Sequence, residues 1–84
     1  MKAKKFEKFK EVKDPGDYCL ERGSDDKLHP FMILPCGDHF FSDGQWQEEN
    51  IDDPDKITLH PSIFCSPSKP CWHGFLTNGE FKNA

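Results

Sequence analysis

The sequence predicts a mostly β fold: one small domain of short antiparallel strands and hairpins, stapled by zinc. Three observations lead there. No long helical period of apolar residues runs through the chain, and there are no internal repeats. Turn signals recur between short apolar runs, as hairpins require. The core is lean, so a chain of 84 residues with 35% hydrophobic content gains from a staple, and four Cys with four His offer the donors zinc prefers.

The elements follow in order. Residues 1–13 form a basic lead-in: Lys2, Lys4, Lys5, Lys8, Lys10 and Lys13 are six of the eleven basic residues. Phe6, Phe9 and Val12 recur every three positions, which suits a short helical turn or an extended arm with its aromatics on the body. Asp14-Pro15-Gly16-Asp17 is a turn, and residues 14–84 make the β domain. Tyr18-Cys19-Leu20-Glu21 reads as a strand, closed by the polar loop Gly23-Ser24-Asp25-Asp26-Lys27. Pro30-Phe31-Met32-Ile33-Leu34 is the most apolar run and a buried strand. Phe40 and Phe41 continue as its hairpin partner, with Ser42-Asp43-Gly44 as the next turn. Trp46 opens a short segment before an acidic block of Glu48, Glu49, Asp52, Asp53 and Asp55. Ile57-Thr58-Leu59 is strand-like, while the prolines between Ser66 and Pro70 forbid a helix. Residues 72–76, the turn Asn78-Gly79 and residues 80–82 form a hairpin, because Asn-Gly fits a type I′ turn.

Composition narrows the function. A net charge of −4 and a pI near 5.4 argue against general nucleic-acid binding, apart from a contact by the basic arm. No apolar run is long enough to span a bilayer, and the lysine-rich start lacks a signal peptide's apolar stretch. A cytoplasmic protein is expected, in which cysteines serve as thiols or metal ligands rather than disulfides.

Six of the eight Cys and His residues fall between positions 36 and 73. Cys71 and His73 are two apart, so an extended strand turns both to one face. Cys36 ends a strand beside Gly37, His39 follows three residues on, and Cys65 completes a set of four or five zinc donors. Cys19, His29 and His60 stand outside that set. Asp43, Glu48 and the acidic block supply carboxylates without a pairing that marks acid–base catalysis. Ser62, Ser66 and Ser68 near His60 and His73, and the thiols of Cys65 and Cys71, are the nucleophile candidates. Trp46 and Trp72 read foremost as core.

Asp14-Pro15-Gly16-Asp17, Leu20-Glu21-Arg22-Gly23, Pro35-Cys36-Gly37, Trp46, Thr58-Leu59-His60-Pro61-Ser62-Ile63 and residues 71–79 carry a resemblance. Over residues 14–81 the chain resembles short phage and prophage proteins of unknown function, some mislabelled ammonia monooxygenase. It is also similar to the peptidase-like component of bacterial ubiquitin-like conjugation operons. The resemblance implies Cys36, Cys71 and His73 as zinc ligands, with His39 and Cys65 as candidates for the fourth. It departs from the family at Asp38 and His39, where another cysteine is expected, and at Cys71-Trp72, where a glycine usually intervenes. Two functions compete. One is a zinc-binding phage protein that binds a host or defence protein without catalysis. The other is a serine-type peptidase acting on a ubiquitin-like tag, with Ser62 as nucleophile and His73 as base. His73 cannot easily serve both, and no carboxylate in the sequence marks itself as the orienting partner.

Overall fold

The computed structural model describes residues 1–64 and 72–84. Most strands form where the sequence places apolar runs between turns, while β1 and β5 consist of polar residues alone. They are β1 (Lys4–Lys5), β2 (Asp17–Arg22), β3 (Leu28–Ile33), β4 (His39–Phe41), β5 (Gln47–Glu49), β6 (Thr58–Phe64), β7 (His73–Thr77) and β8 (Glu80–Asn83). They assemble in sequence order into two sheets of four, β1 to β4 and β5 to β8. Every pairing is antiparallel except that of β1 with β2. The described residues contain no α-helix, and the mostly β expectation holds.

Turn chemistry sets the corners. Asn78 and Gly79 have φ of 48° and 75°, the paired left-handed geometry of a type I′ hairpin turn. Asp43 and Gly44 repeat it at 46° and 77°, closed by Gln45 N–H donating to the Ser42 carbonyl at 2.8 Å. β6 outruns the expected Ile57-Thr58-Leu59 and continues through a cis His60–Pro61 bond to Phe64.

The basic lead-in lies along the body. Lys4 and Lys5 pair with Asp17 and Tyr18, and Lys2 bridges to Glu80, so this segment touches both sheets. Phe9–Glu11 then makes one 3₁₀ turn, which sets the Phe9 ring 4.8 Å from Phe31 on the outer face of the first sheet.

Side chains alternate across each sheet. In register, Tyr18, Met32 and Phe40 form one inward row. Leu59, Leu76 and Phe81 form the facing row of the second sheet. With Ile57, Ile63, Leu34 and Ala3 these residues make the core between the sheets, and Trp46 and Trp72 pack on its margin. Each fully buried aliphatic side chain contributes about 1.5–3 kcal/mol relative to exposure. The polar tips find partners: Tyr18 Oη donates to the Ile51 carbonyl at 3.0 Å and Trp46 Nε1 to the Ser62 carbonyl at 3.1 Å. Burial first, then Asp53 and Asp52, keeps the Tyr18 phenol protonated well above its ordinary range.

Candidate metal centre

Two turns meet at one end of the first sheet and carry carboxylates to a histidine. In the β2–β3 turn, Gly23 N–H donates to the Lys27 carbonyl at 2.8 Å and Asp26 N–H to the Gly23 carbonyl at 3.0 Å. That tight loop turns Asp25 back toward His29, four residues on. Both Asp25 oxygens stand 2.8 Å from His29 Nε2. The β4–β5 turn brings Asp43, whose Oδ1 accepts from the Ser24 N–H at 2.8 Å and from its hydroxyl at 3.2 Å. One donor atom from each of Asp25, His29 and Asp43 lies within 4.8 Å of the others, the grouping of three metal donors found among the described residues.

The centre is built into the fold. The His29 side chain is 7% exposed, and its Nδ1 faces Glu48 of β5 at 2.8 and 2.9 Å. With a carboxylate on each ring nitrogen, only the doubly protonated ring can donate to both. Glu48 on Nδ1 accordingly raises the His29 pKa, burial opposes it, and Asp25 on Nε2 adds to the rise. The same contact lowers the Asp25 pKa, with the Lys27 N–H assisting. Two glycines leave the space. A Cβ on Gly23 would stand 2.3 Å from Asp43 Oδ1 and 2.7 Å from His29 Cδ2. A Cβ on Gly44 would stand 3.2 Å from both Asp25 Oδ2 and His29 Cε1.

This donor set suits a divalent cation. Asp25, Asp43 and Glu48 put three carboxylates around one imidazole, an excess of negative charge that a cation offsets. A tetrahedral zinc with bonds of about 2.0–2.2 Å holds its donor atoms about 3.4 Å apart. Asp25 and His29 Nε2 stand at 2.8 Å and all three donor atoms within 4.8 Å, which brackets that spacing.

Of the donors expected from the sequence, Cys36, His39 and His73 lie outside this triad. Cys36 is exposed in the β3–β4 turn, beside Gly37 at φ 94°. His39 is exposed on β4 with its ring 5.4 Å from Phe31. His73 is exposed on β7, on the other sheet, with its ring 6.0 Å from Phe64. Cys65 and Cys71 lie outside the described residues, as do Ser66 and Ser68. Ser62 and His73 occupy neighbouring strands of the second sheet, but the residue paired with His73 is Phe64. Among the described residues no hydrogen bond joins the Ser62 hydroxyl to the His73 ring, and no carboxylate orients that ring. His60 instead meets Glu49 at 2.8 Å on the surface. Cys19 is buried, and burial, with Glu21 adding, raises its thiol pKa.

Sequence reasoning passed over Asp25, His29 and Asp43 because each sits in a polar or turn segment with an ordinary local explanation. A usable signal was present: a glycine and an aspartate within two positions of each other in each of two turns, Gly23 to Asp25 and Asp43-Gly44, with His29 near the start of the strand after the first.

The fold and this site define a small β domain with a candidate metal triad. No family model, curated protein or solved structure matches the chain. No helix among the described residues is long and apolar enough to cross a membrane.

Proposed function

We propose that this chain is a small zinc-binding protein that acts by binding a protein partner rather than by catalysis. The observation that carries the reading is the convergence of Asp25, His29 and Asp43 within 4.8 Å, in space two glycines keep open. Zinc suits a donor set that mixes imidazole with carboxylate. Support for a binding role comes from exposed apolar side chains on the outer surface. Phe9 and Leu28 flank the first sheet, and Phe64 and Phe75 lie on the second; aromatic residues are enriched at protein interfaces. A host or defence protein is the partner that the phage-like resemblance implies.

The test is elemental analysis and zinc titration of the purified chain, alongside Asp25→Asn and Asp43→Asn. One zinc per chain, lost in both variants, is expected. Zinc retained in both variants and lost in Cys36→Ser would move the metal to the Cys36, Cys65, Cys71, His73 and His39 donors. Cleavage of a ubiquitin-like fusion that disappears in Ser62→Ala would contradict the binding role.

A further inference from the structure

Glu48 occupies the side of His29 that faces away from the other two carboxylates. Its carboxylate contacts Nδ1, and the Ser42 hydroxyl donates to Glu48 Oε2. Both groups are withdrawn from water: the Glu48 side chain is 12% exposed and Ser42 is 0% exposed. The three candidate ligands belong to β3 and to the turns at the end of the first sheet, whereas Glu48 belongs to β5 of the second. A residue of the other sheet therefore orients the histidine.

We propose that Glu48 is the positioning carboxylate of the metal centre, which fixes from β5 the ring of a histidine on β3. The inference rests on the metal reading above. Its chemistry is that of the two ring nitrogens. When Nδ1–H donates to Glu48, the proton that can leave is the one on Nε2, and the lone pair left behind points toward Asp25. The exchange balances: the imidazolium releases the Nε2 proton to solvent, the cation takes its place, and Nδ1–H stays with Glu48. The Nδ1–Glu48 contact is already made without an ion, so the ring is held in the orientation that the exchange needs. Ser42 holds Oε2 and braces the carboxylate in that position.

The experiment uses the full chain with Zn²⁺ alone as the probe. It compares wild type with Glu48→Gln by competitive zinc titration and by imidazole ¹⁵N spectra of His29. Loaded wild type should show His29 protonated on Nδ1 and metallated on Nε2. Glu48→Gln should bind zinc about 10–100-fold more weakly and lose that fixed tautomer. Failure of wild type to bind zinc would overturn the metal reading itself. If wild type binds, a folded Glu48→Gln with unchanged affinity and tautomer overturns the role of Glu48 alone, even if its Tm has fallen. Should Glu48→Gln not fold, Ser42→Ala removes the brace and keeps the charge: weakened zinc affinity supports the proposal, and unchanged affinity overturns it.

Discussion

Gly23→Ala is the most exacting perturbation of the site, because it adds one methyl group and no charge. The new Cβ would stand 2.3 Å from Asp43 Oδ1 and 2.7 Å from His29 Cδ2, separations that folded proteins do not tolerate. Neither neighbour yields freely. Asp43 Oδ1 is held by the Ser24 N–H at 2.8 Å, and the His29 ring is held at both nitrogens. The least costly relief swings Asp43 away and gives up its hydrogen bonds from Ser24. A hydrogen bond to a charged group contributes about 1.5–3 kcal/mol, so a loss of about 2 kcal/mol is expected. For a domain of this size that lowers Tm by about 8–16 °C. Gly23 does not lie in the left-handed region, so the loss reports crowding and not backbone strain. Gly37→Ala supplies the control, since Gly37 has φ 94° but nothing within 4 Å of its Cβ. It should cost about 1 kcal/mol from strain and leave the metal centre alone. The assay is thermal unfolding with and without zinc. Gly23→Ala with wild-type Tm and wild-type zinc affinity would refute the packing described for the centre.

Other outcomes follow from the same contacts. Leu59 is 1% exposed and faces Leu76 in the core, so Leu59→Ala should cost about 2–5 kcal/mol, read from the denaturant midpoint. Tyr18→Phe should cost about 1 kcal/mol in the same assay, because it leaves the Ile51 carbonyl without its donor. The ion-free chain should show a stability window in pH. Because the folded His29 pKa is raised, its contribution is complete below the unfolded value of about 6.5 and is lost as pH rises through the folded one. The Asp25 pKa is lowered, so its contribution is present above about pH 3.9 and lost as pH falls through the folded value. His29→Gln should abolish the decline on the alkaline side in thermal scans from pH 5 to 9. If zinc loads as proposed, it should reverse that slope, since proton and ion compete for Nε2 and loading strengthens as pH rises.

Much of the fold was legible because its signals are local. Asn78-Gly79 specifies a turn geometry on its own, and the run from Pro30 to Leu34 specifies a buried strand wherever it pairs. The lead-in was less legible, since the pairing of Lys4 with Asp17 and the bridge from Lys2 to Glu80 depend on partners distant in sequence. The candidate metal triad was not legible for the same reason. Asp25 and Asp43 meet because β2–β3 and β4–β5 turn at the same end of one sheet, which no local pattern states. Glu48 read as one of several acidic surface residues. Only its alternation on β5 turns it inward to His29, while its neighbour Glu49 faces out to His60.

The central claim is that a cation is held by oxygen and nitrogen at the Asp25, His29 and Asp43 centre. X-ray absorption at the zinc edge of the loaded chain tests it most directly, because the scatterers differ in distance. The proposal predicts a first shell of nitrogen and oxygen alone, at about 2.0–2.2 Å, that Asp43→Asn disrupts. A sulfur shell at about 2.3 Å would place the ion on cysteine thiolates and contradict it.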